Sequence, residues 1–235
     1  MKKLASTLLL LGLTSTAMAQ TPKNVIERPI TLADGELMFS GALMFGEQTD
    51  GEDEWIVAPG IAYGVTDDFS ISLGDLRYRF MERENNGHGK GLELTFGIGF
   101  EGQREVRGAD DSNGVYADIT GKYVFNRDTA AYFSTAYVHW GEDKRDDRSE
   151  IRYTVGIQQN LINNVSAFAS YTYSDLRDFE DDSANAGSVG LNYALSKTMD
   201  VGMFVSYSDF DAEDNGYKAD DIFEKSAGIY FATRF

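Results

Sequence analysis

The 235-residue chain contains no cysteine. Disulfides, thiol chemistry, thiolate metal sites and a lipid-attachment cysteine are thereby excluded. Proline is scarce, with three in all at Pro22, Pro29 and Pro59, and the only histidines are His88 and His139. Beyond the first 19 residues no segment approaches the ~20 uncharged residues that a membrane helix needs, so a helical membrane protein is excluded. Basic residues are outnumbered: 21 Lys and Arg stand against 38 Asp and Glu, for a net charge of -17. Such a chain repels nucleic acid and anionic lipid surfaces. Acidity of this size suits disorder, but aromatics at 13% and frequent Val, Ile and Leu oppose it.

What is present begins with Met1, Lys2 and Lys3, an apolar stretch from Leu4 to Leu13, and small residues ending Ala17-Met18-Ala19. This is the pattern of a secretory signal peptide over residues 1–19, with the mature chain starting at Gln20. Loss of Lys2 and Lys3 takes the net charge to -19. Residues 20–34 are expected to form a periplasmic N-terminal segment, open to three readings: a tail, a partial plug or a first strand. From Gly35 onward, runs of about ten residues alternate between apolar and small or polar character, separated by turns or acidic loops. The clearest sets Leu92, Leu94, Phe96, Ile98 and Phe100 against Gly91, Glu93, Thr95, Gly97, Gly99 and Glu101. The face opposite the large residues is mostly Gly, Ser, Thr and Ala. That suits a crowded barrel interior, with the large residues facing lipid, better than the solvated face of a soluble sandwich.

The chain end is the most specific signal. Counting back by twos gives Phe235, Thr233, Phe231, Ile229 and Ala227. This resembles the terminal strand of Gram-negative outer-membrane β-barrel proteins, whose last residue is usually Phe. The resemblance implies an all-β, closed antiparallel up-and-down barrel over residues 35–235, located in the outer membrane, with Phe231 and Phe235 as the signal read by the barrel-assembly machinery. Lipid and lipopolysaccharide are the other expected partners, with loosely bound divalent cations at the acidic loops.

Eleven strand segments are visible, near 36–45, 54–63, 68–80, 91–101, 114–125, 130–140, 150–159, 165–174, 188–195, 199–208 and 224–235. Bacterial barrels use an even number, so one of these assignments must be wrong. Directions counted from the two ends collide between Asp75 and Gly114, and an extra strand near Glu101 to Gly108 would give twelve; ten is the alternative. Trp55 and Trp140 end strands beside acidic loops, as an outer interfacial girdle would, while Tyr63, Phe69, Phe125 and Tyr132 flank short turns on the other side. Pro59 cannot donate to a ladder, so a bulge or shortened pairing is expected there.

A search for chemistry finds little. His139 lies near Glu142 and Asp143, but no Ser stands in a recognisable context with either histidine. Asp110-Asp111-Ser112-Asn113-Gly114 resembles the catalytic segment of outer-membrane phospholipases, yet Asp110 stands where that family has its His. The hydroxyl then lacks its base, and the string reads better as a loop tip. Asp209, Asp211, Glu213, Asn215 and Gly216 loosely match a calcium loop without its twelfth-position Glu and read as a solvated acidic loop. No enzyme, cofactor or defined metal site is expected.

The strand phases turn Glu36, Arg77, Arg79, Glu93, Asp118, Lys122, Arg152 and Arg234 inward. At mid-depth a lipid-facing Arg or Lys would cost about 2–4 kcal/mol, so these charges belong to the lumen. If they pair across it, the interior is a closed polar core; if the small residues leave room, they line a narrow channel. The first expectation is a porin-like passive channel for ions or small polar solutes. A non-conducting structural or adhesion barrel acting through its acidic loops comes second, and a membrane-embedded hydrolase a distant third.

Overall fold

A computed structural model describes residues 24–48, 51–85, 87–106, 112–142, 146–162, 164–218 and 223–235. The expected signal peptide, residues 1–19, lies outside them. Twelve antiparallel strands close into an up-and-down barrel in chain order. They are β1 Leu37–Gln48, β2 Asp53–Thr66, β3 Phe69–Ser72, β4 Asp75–Met81, β5 Gly91–Arg104, β6 Ser112–Asn126, β7 Thr129–Gly141, β8 Arg148–Ile162, β9 Val165–Arg177, β10 Ser183–Ala194, β11 Met199–Ser208 and β12 Phe223–Arg234. Closure follows from β1 pairing with β12, Gly41 opposite Phe231 and Met38 opposite Arg234. The Phe231 ring covers Gly41, where a Cβ would stand 2.7 Å from it.

Two ends can be distinguished. The start of β1, the end of β12, the tight turns after β2, β6, β8 and β10, and the 82–90 connection lie at one end, called here the terminal end. The longer connections lie at the loop end. Outward residues form an apolar belt in which Phe39, Leu43, Val57, Phe96, Ile119, Val155, Val189, Met203 and Ile229 are exposed, as lipid contact requires.

The twelfth strand is not where the sequence placed it. Glu101 to Arg104 simply continue β5, and Val106 makes one isolated bridge to Tyr217. Instead the 68–80 run is two strands, β3 and β4, joined at Leu73-Gly74. Gly74 has φ +85°, the left-handed conformation that a tight turn needs at its second central position. The apolar phase betrays the break: Phe69, Ile71 and Leu73 are odd, Leu76, Tyr78 and Phe80 even. Pro59 causes no bulge in its pairing with Gly41. Its other edge faces β3, where pairing ends at Ala62 opposite Ser72, so the shortened ladder is the device in use.

Residues 24–36 do not form a strand. A 3-10 turn, Val25–Glu27, capped by the Asn24 side chain accepting from the Ile26 N–H, enters the terminal mouth. Ile26 packs on Val124 and Ala130, with Tyr132 beside them. Of the readings open from sequence, the described part of the segment is a plug.

Candidate functional site: the barrel interior

The interior divides lengthwise. On β4 to β8 the inward positions carry charge. Arg77 grips Asp118 with two parallel bonds, Nη1 to Oδ1 at 2.9 Å and Nη2 to Oδ2 at 2.7 Å, and also donates to Thr95 Oγ1. Gly97 stands between them in register, and a Cβ there would lie 2.5 Å from Asp118 Oδ2, so only glycine lets the bridge cross the intervening strand. Asp75, across Gly99, accepts from the Tyr116 hydroxyl. Higher up, Arg152 donates to Glu101 and Glu150, and Glu150 also accepts from the Trp140 indole N–H.

Nearer the terminal end the charges hold the plug. Glu93 accepts from the Ile30 N–H at 2.6 Å and from Arg83 Nε at 2.9 Å, with Arg79 3.8 Å away. Lys122 Nζ donates to the Arg28 carbonyl at 2.6 Å. Arg28 itself is fully buried and donates to both oxygens of Asp200, which also accepts from Arg234; Glu36 lies 3.9 Å from Arg234. Asn24 donates to the Arg127 carbonyl and accepts from Asn160, while Thr31 donates to the Asp67 carbonyl. The segment is therefore tied to turns around the whole mouth.

The other half, β9 to β12 with β1 and β2, carries almost no charge above Asp200. Its inward face holds hydroxyl pairs, Ser170 with Ser188 and Ser206 with Ser226, continued onto β8 by Thr154 with Thr172. Beside them Met44, Ile56, Phe204 and Tyr230 form an apolar cluster. Ser40, Ser134, Thr154, Ser170, Thr172, Ser206 and Ser226 are half-buried, so space remains in the lumen at mid-height. Asn192 and Tyr230 flank Gly202 in register, and neither the Asn192 amide nor the Tyr230 hydroxyl has a hydrogen-bond partner among the described residues.

At the loop end, Phe210, Ala212 and Tyr217 fold inward against Val106, Leu176 and Ala184. Arg104 lies 3.9 Å over the Trp140 ring and 5.2 Å from that of Tyr217, and Arg148 donates to the Asn215 carbonyl. The Tyr217 hydroxyl donates to Glu142. Burial and this bond raise its pKa, leaving it a neutral donor. The expected solvated acidic loop is thus partly a cap. Asp211 Oδ1 accepts from the Glu213 and Asp214 N–H groups, a local turn rather than a cation cradle. No metal-binding cluster of His, Asp and Glu occurs among the described residues.

All eight expected inward charges, Glu36, Arg77, Arg79, Glu93, Asp118, Lys122, Arg152 and Arg234, lie on the inside, seven in ion pairs and Lys122 on the Arg28 carbonyl. Sequence reasoning missed Arg28 and Arg83, which lie outside any strand period, and Glu150, Asp200 and Arg104, of which Glu150 shares the phase of Arg152 and Asp200 that of Gly202 and Ser206 on its own strand. Trp55, Tyr63, Phe125, Phe231 and Phe235 are exposed on the outer wall. Trp140 is not a girdle residue: only 2% exposed, it faces inward, because Phe133, Tyr137 and His139 take the outward phase of β7. Tyr132 turns inward for the same reason and donates to Gln158. His139 is outward, 3.5 Å from Asp147. Ser149 stands opposite it in register, with no hydrogen bond joining the two. Of the phospholipase-like string, Asp110 and Asp111 lie outside the described residues, as does Asp143, and Ser112 begins β6 facing inward with its hydroxyl unpartnered.

The NanC porin superposes with a TM-score of 0.56 at 10% identity, over 84% of this chain and 98% of that one. The fold is that of the outer-membrane porins. Two more porin-fold structures agree: the KdgM porin, TM-score 0.53 at 8% identity over 84% and 99% of the chains, and the COG4313 outer membrane channel from Pseudomonas putida F1, TM-score 0.51 at 12% over 87% and 97%. No protein-family model matches the chain, and no curated sequence does.

Proposed function

We propose that the protein is a passive porin-like channel for ions or small polar solutes in the outer membrane of a Gram-negative bacterium. The observation that carries this reading is the half-accessible hydroxyl belt at mid-barrel, lying between the plug below and the cap above. Hydroxyls replace a solute's hydration water without binding it tightly, as conduction requires. The charged half is largely neutralised by its own pairs, so the acidic loops set the field at the mouth, and weak cation selectivity at low salt follows, fading as salt shortens the Debye length. The three named porin-fold structures support the reading through their shared architecture. Lipopolysaccharide around the belt, divalent cations at the loop acids and the assembly machinery at Phe235 complete it. No catalytic step is assigned.

The plug and cap favour a second reading, a barrel closed at rest. Single-channel recording of the refolded full chain in planar bilayers decides between them. Discrete cation-preferring openings are expected; clear anion preference at low salt would refute the selectivity, and silence would favour the closed barrel.

A further inference from the structure

Among the described residues the barrel wall is incomplete on one side, above the short β3–β4 hairpin. β3 has four residues and β4 seven, against 14 in each of their outer neighbours, β2 and β5. A four-residue strand rises about 13 Å, whereas crossing a membrane takes ~9–11 residues. The β3–β4 hairpin therefore stops partway up. Pairing of β2 with β3 ends at Ala62, and pairing of β4 with β5 at Gly99. Above those points no described strand covers the β2 edge from Asp53 to Ile61, which is separated from β5 at Phe100 by the width of two missing strands, about 14 Å between backbones at three strand spacings.

This notch lies within the apolar belt, since Trp55 and Val57 on the β2 edge pair with Phe45 and Leu43 of β1, both outward. Odd residues of β2 direct their backbone groups toward β3: the Ile61 carbonyl accepts from the Leu73 N–H, the last such bond. The N–H and C=O groups of Trp55 and Val57 thus point into the opening. Bare strand edges are not tolerated against hydrocarbon, where each unsatisfied group costs several kcal/mol, but are tolerated where they line a filled cavity. Pro59, which has no N–H to offer, keeps the same edge from recruiting another strand.

We propose that this notch is a lateral portal between the lumen and the outer half of the membrane, used by uncharged molecules with an apolar body and one small hydrogen-bonding group. Its β2 wall suits such a body: Ile56, on the inner face beside the opening, packs with Met44, Phe204 and Tyr230. At the far side of that apolar patch stand the Tyr230 hydroxyl and the Asn192 amide, buried and unpartnered, able to donate to or accept from one polar group. The β5 wall offers no net charge to a solute, because Glu101 and Arg104 join Arg152 and Glu150 in one balanced cluster of two acids and two bases. The portal does not depend on axial ion conduction, and its test is separate.

The cysteine-free chain makes a single-cysteine variant clean. Ala58→Cys, on the inner face of β2 beside the notch, is expressed in intact Gram-negative cells, whose lipopolysaccharide excludes N-phenyl-1-naphthylamine, an uncharged amphipathic fluorophore. Uptake severalfold faster than in cells lacking the protein is expected, falling to that background after a bulky methanethiosulfonate reagent and recovering on reduction, while ion conductance of the modified protein changes much less. Uptake at background before modification, uptake insensitive to it, or uptake and conductance falling by the same factor would each overturn the portal. Amide exchange in lipid nanodiscs tests the wall without any variant: Trp55 and Val57 should exchange far faster than Leu43 and Ile56, and equal protection would mean a closed wall.

Discussion

The two halves of the interior differ in how their polarity is satisfied. On β4 to β8 buried charges neutralise one another, and each pair fixes a position: Arg77 to Asp118 over Gly97, Arg152 to Glu101 and Glu150. On β9 to β2 polarity is carried by hydroxyls, which reorient freely and bond in pairs or to water. Both halves hold the plug at the terminal mouth, but above it the first is a paired scaffold and the second leaves space. A barrel can thus carry many inward charges and still offer its solutes a nearly neutral wall.

The sharpest way to break this comparison is to remove one partner from each half. Arg77→Ala strands Asp118 as a buried, unpaired charge, and a loss of about 3–5 kcal/mol is expected. Ser170→Ala, which deletes one hydroxyl of a pair, should cost about 1 kcal/mol. Urea unfolding of the lipid-inserted barrel, followed by its heat-modifiable gel mobility, measures both; similar costs would show that the halves are not energetically distinct. Next in size is the plug latch. Asp200→Ala leaves Arg28 and Arg234 facing each other without their shared carboxylate, so the plug should leave the mouth and mean conductance should rise severalfold in planar bilayers. Unchanged conductance would mean that the plug does not limit flow.

A smaller effect is expected from pH. Burial pushes the Glu36 carboxyl up to about 7, outweighing the Ala33 N–H and the Arg234 and Arg28 charges, which pull it down. Between its ordinary value and about 7 the closed state therefore holds more protons than a state in which Glu36 is hydrated. Plug closure should weaken as pH rises through that window, and openings should be more frequent at pH 8 than at pH 5. Glu36→Gln should flatten the dependence, and a dependence that survives it would place the titration elsewhere.

Most of the wall was legible because a strand's period of two is rigid: one outward Leu or Phe sets the facing of its neighbours, and the eight inward charges followed from it. Two kinds of feature were not. The β3–β4 break is a phase slip of one residue between Leu73 and Leu76, easily absorbed into one long run when strands are sought by length. Trp140 was placed by its residue type and position at a strand end, although the phase of Tyr137 and His139 already turned it inward. Arg28 and Arg83 were beyond reach, because plug and loop have no period, and only the folded mouth brings them to Asp200 and Glu93. The notch was likewise invisible, since it depends on where pairing stops rather than on what any residue is.

The smallest predicted effect separates stability from use within the neutral half. Asn192 is buried with both amide atoms unpartnered, opposite Gly202 and one strand from the unpartnered Tyr230 hydroxyl. A buried polar group left without a bond costs about 1–3 kcal/mol, and an apolar replacement of similar shape removes that cost. Asn192→Leu should therefore stabilise the barrel slightly, by about 1 kcal/mol, where most inward substitutions destabilise it. If the amide is kept to meet a solute, the same variant should slow uptake of the amphipathic fluorophore while leaving ion conductance intact, the usual exchange between stability and function. A destabilised variant would mean that Asn192 has a partner, such as a bound water, and slower uptake could then follow from its loss. A more stable variant with unaltered uptake would leave the portal standing but remove Asn192 from its path.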